Sequence, residues 1–214
     1  MFRLLMVFAM SLPAAMAICA PLPVGLVNAS FDQGFSERGI PDGWTLYGGA
    51  GRDRTLGPEK PGAPGALLLD DRDAAAEIGV YQNAPAEGGV AYRATAMVRA
   101  VEGRSSAGAN LQMRFSPGDK YVQAALNATD PEVARPVSVT MVAPEGTTSV
   151  RLYLYTHAAP TPAVVIDEVT LVSGAEAPAG PAPIPDPVPP VYETLKDLHL
   201  ETPVARGGQS SCAI

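Results

Sequence analysis

The chain has 214 residues, room for one ordinary domain with tails, and its 47% hydrophobic content is enough to bury a core, which excludes disorder throughout. Its 21 glycines and 22 prolines punctuate the sequence too densely for a helical bundle and suit many short strands joined by turns. A formal net charge of −7 supplies no basic stripe for nucleic acid or an anionic membrane surface, and leaves neutral sugars and cationic partners open.

Residues 1–17 carry one positive side chain, Arg3, then an apolar stretch and a small-x-small end at Ala15-Met16-Ala17, the pattern of an export signal. The stretch is short for a membrane span, and nothing later in the chain is long enough to be one. A secreted protein, extracellular or periplasmic, is therefore expected. Cys19 follows Ile18, where a lipid-attachment signal would need Gly, Ala or Ser, so lipidation is not expected. With Cys212 at the opposite tail, the two cysteines make neither a disulfide framework nor a zinc site.

Apolar runs with period-two alternation, bounded by Gly, Pro, Asn and Asp, then recur along the chain. They predict strands over 25–31, 44–47, 66–69, 76–81, 90–101, 109–116, 121–127, 137–142, 149–155 and 163–172. Such a series fits an all-β domain folded as a two-sheet jelly-roll β-sandwich. In 150–155 the aliphatic side chains Val150, Leu152 and Leu154 fall on one strand face and Arg151, Tyr153 and Tyr155 on the other. Leu111 to Phe115 repeats the arrangement, with Gln112 and Arg114 opposite the apolar side chains. Burying the aliphatic faces would present Gln, Arg and Tyr outward. The acidic run Asp70-Asp71-Arg72-Asp73 reads as a solvated loop.

After Val172 the composition turns to Pro, Ala and Gly, which sustains neither helix nor central strand and reads as a Pro-rich linker over 174–192. The pattern of 193–214 alternates again around Gly207-Gly208 and reads as the start of a further, C-terminal domain, truncated here. The folded unit is thus expected over 24–173.

Two ends of that unit carry a family resemblance. Leu26-Val-Asn-Ala-Ser-Phe-Asp-Gln-Gly34 with Pro41-Asp-Gly-Trp44 resembles the opening of the galactose-binding-like carbohydrate-binding modules, CenC-type, found beside cellulases and xylanases. Ser149-Val-Arg-Leu-Tyr-Leu-Tyr155 with Val164-Val-Ile-Asp-Glu-Val-Thr-Leu171 resembles their closing strands, and Ala91 to Ala100 their middle strand. The resemblance spans about residues 24–173. It implies a non-catalytic module that binds polysaccharide or oligosaccharide, a packing role for Trp44, and a structural calcium to which Asp32 and Asp167 are the matching positions.

Sugar recognition needs aromatic faces for the C–H side of a pyranose and polar groups for its hydroxyls. The candidate rings are Tyr47, Tyr81, Tyr121, Tyr153 and Tyr155; Gln112, Arg114 and Arg151 are the polar candidates, for hydroxyls or a uronate carboxylate. Only two histidines, His157 and His199, are present, and no nucleophile elbow, phosphate loop or HExxH motif occurs, so an enzyme is not expected within these residues. The rival reading is a structural spacer or adhesion sandwich that supports a neighbouring catalytic domain, a glycoside hydrolase or lyase, and never touches sugar.

Overall fold

The structure, a computed structural model, describes residues 20–48, 54–60 and 65–177. The expected export signal, the linker beyond residue 177 and the segment 193–214 lie outside the described residues. Within them are eleven strands: β1 (Leu22–Pro23), β2 (Thr45–Gly48), β3 (Arg54–Pro58), β4 (Leu67–Asp71), β5 (Ile78–Pro85), β6 (Ala91–Ala100), β7 (Ala109–Ser116), β8 (Tyr121–Ala125), β9 (Arg135–Val142), β10 (Ser149–Thr156) and β11 (Ala163–Ser173). One antiparallel sheet runs β3-β4-β11-β6-β9, with β1 added beside the end of β11; the other runs β2-β5-β10-β7-β8. Together they make the expected two-sheet jelly-roll β-sandwich.

Alternation decides which side chains the sandwich encloses. Along β6, Tyr92, Ala94, Ala96 and Val98 point inward and are buried, while Arg93, Thr95, Met97 and Arg99 between them are half-buried on the outer face. From the opposite sheet Val80, Leu111, Met113, Phe115, Leu152 and Leu154 complete the core. Trp44 packs at its margin, 5.7 Å from the Phe31 ring, with Nε1 donating to the Asn28 carbonyl at 3.2 Å.

The opening segment departs from the sequence expectation. Residues 25–31 are not a strand: Asn28 and Phe31 adopt φ of 50° and 59°, left-handed values that no extended strand allows. Asn28 holds the turn, its Oδ1 accepting from Gln33 N at 2.9 Å and its Nδ2 donating to Gly34 O at 3.2 Å. Val169 N on β11 donates to Ala29 O at 2.9 Å, and a further part of what a partner strand would supply comes from one buried side chain. Gln82 on the inner face of β5 accepts from Val27 N at 2.7 Å and donates to Val27 O and Gly43 O, both at 2.9 Å. Gln82→Leu keeps the approximate shape and strands these three backbone groups. The expected loss is about 2 kcal/mol in urea denaturation, since a hydrogen bond contributes about 0.5–1.5 kcal/mol and these three are only partly buried. A loss below about 1 kcal/mol would mean that water replaces the amide.

β3 is an edge strand that the Gly57-Pro58 turn signal conceals, and proline is admissible there because it ends the strand. The acidic run is also corrected. Asp70 and Asp71 belong to β4 and are 5% and 0% exposed, not solvated. Asp70 pairs with Arg72 at 2.7 Å and Arg104 at 2.5 Å, and Asp71 Oδ2 accepts from Thr156 Oγ1 at 2.6 Å. That last bond joins β4 of one sheet to β10 of the other.

Candidate functional site

The outer face of the β2-β5-β10-β7-β8 sheet collects the aromatic and polar side chains. β10 is the central strand, and its register fixes three rows across the sheet. Arg151 lies between Asn83 on β5 and Arg114 on β7, which in turn is opposite Tyr121 on β8. Tyr153 lies between Tyr81 and Gln112, with Thr45 and Gln123 beyond them. Tyr155 lies between Gly79 and Asn110, with Tyr47 beyond Gly79. Because the aliphatic side chains of these strands occupy the core, the intervening Tyr, Arg, Gln and Asn must emerge together on this face.

The rings pack edge to face, except Tyr81 and Tyr153, which are tilted at 44°. Tyr153 is 5.3 Å from Tyr47, 5.5 Å from Tyr81 and 6.4 Å from Tyr155; Tyr155 is 5.5 Å from Tyr47 and 5.3 Å from His157. This lateral packing leaves Tyr153 and Tyr155 only 7% and 6% exposed, so they form the floor of the face rather than free platforms. Tyr121, 52% exposed, and the half-buried Tyr81 and Tyr47 offer ring surface to solvent. Gln112 is buried and donates to Gln123 Oε1 at 3.1 Å, which also accepts from the Tyr155 hydroxyl at 3.2 Å. All six candidates Tyr153, Tyr155, Arg114, Gln112, Tyr121 and Arg151 thus lie on one face.

The two ends of the face differ in charge. At one end Tyr47 donates to Glu77 Oε2 at 2.5 Å, and His157 Nδ1 lies 3.4 Å from Glu77 Oε1. Burial, then the bond to Glu77, pushes the Tyr47 hydroxyl up to about 12, and burial also raises Tyr155. At the other end Arg151 donates to Asn83 Oδ1 at 2.7 Å and to the Tyr153 hydroxyl at 3.2 Å, with its guanidinium 4.6 Å from the Tyr81 ring centre. The bond to Tyr153 raises the Arg151 pKa further above its ordinary value.

The Tyr47 shift carries a pH prediction. The folded state keeps this proton up to about pH 12 while the unfolded chain releases it near the ordinary value of 10.0. The Tyr47 contribution to stability is therefore complete below about pH 10 and is lost as pH rises toward 12. Urea midpoints at pH 9 and pH 11.5 should fall further for the native chain than for Tyr47→Phe; equal falls would contradict the shift.

Sequence reasoning missed Asn83, Asn110 and Gln123. Each stands two residues from a residue already placed on the face, so the alternation in 81–83, 110–112 and 121–123 contained the signal, but only once the pairing of the strands was known.

Asp32 and Asp167 are the two positions at which the resemblance implies calcium. Asp32 is an exposed turn residue, and Asp167 is the extra residue of a bulge in β11 whose carboxylate accepts from Arg99 Nε at 3.3 Å. Arg99 also grips Glu59, whose carboxyl it holds below the usual carboxylate range. Among the described residues no group of three or more His, Cys, Asp or Glu side chains could share an ion. Nor is any described helix long and apolar enough to cross a membrane.

No protein-family model matches the chain, and no curated protein matches it by sequence. Among solved structures it is similar to the Stig cyclase Fisc from Fischerella sp. TAU, at 14% identity over 72% of this chain and 98% of that one, with a TM-score of 0.54. It is also similar, with a TM-score of 0.48, to the CBM22-1 xylan-binding domain of Paenibacillus barcinonensis Xyn10C, at 20% identity over 74% of this chain and 100% of that one. A third likeness, to a CBM4 structure, has 14% identity and a TM-score of 0.48 over 70% of this chain and 99% of that one. The Fisc likeness establishes a shared all-β sandwich fold.

Proposed function

We propose that the chain is a non-catalytic carbohydrate-binding module of an exported polysaccharide-processing protein, docking on glycan through the outer face of the β2-β5-β10-β7-β8 sheet. The observation that carries this reading is the convergence of rings and amide or guanidinium groups from neighbouring strands on a single face. Tyr121, Tyr81 and Tyr47 supply ring surface for the apolar side of a pyranose. Asn83, Gln123 and Arg114 surround them with groups that bond hydroxyls. Tyr153 and Tyr155 hold that array from below. The ring partners of Tyr153 and Tyr155 among the described residues lie on the face or, with His157, at its end, so the rings brace one another. A shallow face buries little ligand, so each contact is weak and the gain comes from tethering a linked partner near its substrate.

Affinity electrophoresis of the chain through gels containing soluble xylan, β-glucan, galactan or polygalacturonate tests the reading. Retardation by at least one polymer is expected. Unretarded migration through all of them would overturn it in favour of the spacer.

A further inference from the structure

The cationic end of the face has a feature that neutral sugar does not require. Arg114 and Arg151 are directly opposite each other on adjacent strands. Like charges so placed repel. Their guanidinium carbons stand 5.6 and 5.8 Å from the centre of the same ring, Tyr153. Acidic partners are plentiful in this chain, with 22 Asp and Glu against 15 Lys and Arg, and Arg72, Arg99 and Arg104 are all ion-paired. Among the described residues neither Arg114 nor Arg151 forms an ion pair. Arg114 Nε is shielded from solvent and has no hydrogen-bond partner, an unmet donor in a folded protein.

Between the two arginines is a notch of ≈ 170 Å³, lined also by Asn83, Ser116, Ser149 and Asp119. Asp119 is exposed on the turn after β7 and opposes the two positive charges with one negative, so the notch stays net positive. Two planar guanidiniums, one already fixed by Asn83 and the Tyr153 hydroxyl, are matched by a planar carboxylate accepting from both.

We infer that this notch holds the carboxylate of a uronic acid residue, so that the module selects an acidic, uronate-containing polysaccharide over neutral glycans; the inference rests on the carbohydrate-binding reading above. The carboxylate neutralises the opposed arginines, and the sugar ring that bears it lies toward Tyr81 and Tyr121, on which the guanidiniums themselves rest at 4.6 and 5.3 Å.

The test compares polygalacturonate with its methyl ester, which keeps the backbone and removes the charge, alongside xylan and dextran sulfate, by affinity electrophoresis at about 0.15 M salt, where long-range attraction is screened. The native chain should bind the acid form about tenfold more tightly than the ester, the size expected for one charge-assisted contact. Arg114→Gln with Arg151→Gln should erase that preference while circular dichroism shows an intact sandwich. Equal retention on acid and ester, or stronger retention on dextran sulfate, would overturn uronate selection. Retention on xylan alone would overturn it while leaving the carbohydrate-binding reading standing, and retention on nothing would remove both. The comparison of acid with ester in the native chain decides the matter even if the double variant fails to fold.

Discussion

Tyr153→Ala is expected to weaken polysaccharide binding about 30-fold or more, the loss typical of a central aromatic anchor, while the domain remains folded. Tyr153 stands at the middle of the central strand, touches the rings of Tyr47, Tyr81 and Tyr155, and lies beneath the guanidiniums of Arg114 and Arg151. Removing it lets the three rings and both arginines relax into the vacated space. At 7% exposure it is buried enough that truncation also costs stability, about 3 kcal/mol. That is a substantial part of the 5–15 kcal/mol typical of a domain, but less than all of it. Tyr155→Ala should act in the same direction. Tyr153→Phe, which keeps the ring and loses only the hydroxyl that accepts from Arg151, should bind within a few-fold of the native chain. Thr95→Ala, on the outer face of the opposite sheet where Thr95 meets Ser138 at 2.8 Å, should leave binding unchanged. Retardation of these four variants in polysaccharide gels, with denaturation curves alongside, separates lost contact from lost fold. A Tyr153→Ala chain that stays folded and binds normally would contradict the face.

The second large effect falls on stability. Asp71→Ala is expected to cost about 3 kcal/mol, because it leaves Thr156 Oγ1 and Asp73 N without their acceptor and a buried group left unpaired costs about 1–3 kcal/mol. Asp71 is wholly buried, and one carboxylate serves two elements: Oδ1 accepts from Asp73 N at 3.0 Å and Oδ2 from Thr156 Oγ1 at 2.6 Å. Thr156 Oγ1 in turn accepts from Ile78 N at 3.1 Å, so the chain of bonds runs from β5 through β10 to β4 and ties the two sheets together. Thr156→Val should share the loss. A double-mutant cycle in urea should give a coupling of about 1–3 kcal/mol, whereas additivity to within about 0.5 kcal/mol would mean that the two side chains stabilise the sandwich separately.

Much of the sandwich is legible in the sequence because side-chain alternation is a local property. The predicted strand over 109–116 is β7, and those over 149–155, 90–101 and 163–172 match β10, β6 and β11 to within a residue or so at each end. The misses have local causes too. The segment 25–31 alternates like a strand, yet the left-handed Asn28 and Phe31 turn it, and the contact that compensates, Gln82, lies 55 residues from Val27. Asp70 and Asp71 look solvated because their partners Arg104 and Thr156 lie far along the chain.

The candidate face was legible strand by strand and not as a whole. That Arg151 and Tyr153 share one side of β10 follows from period two. That Asn83, 68 residues earlier, bonds Arg151, or that Tyr121 stacks beneath Arg114, depends on strand order, which alternation does not encode. Exposure was likewise hidden: Tyr153 and Tyr155 are outward-facing by pattern but are covered by one another's neighbours. Of the two positions at which the resemblance implies calcium, Asp167 is paired with Arg99, 68 residues earlier, a contact that the alternation of β11 does not encode.

The central claim is that glycan binds the outer face of the β2-β5-β10-β7-β8 sheet. Backbone amide chemical shifts of the chain, followed by NMR through titration with tri-galacturonate and with xylohexaose, test it most directly. The expected result is a set of perturbed amides confined to β5, β7, β8 and β10 around Tyr81, Arg114, Tyr121 and Tyr153, larger for tri-galacturonate. Perturbations centred on β6, β9 and β11, or none with either sugar, would contradict it.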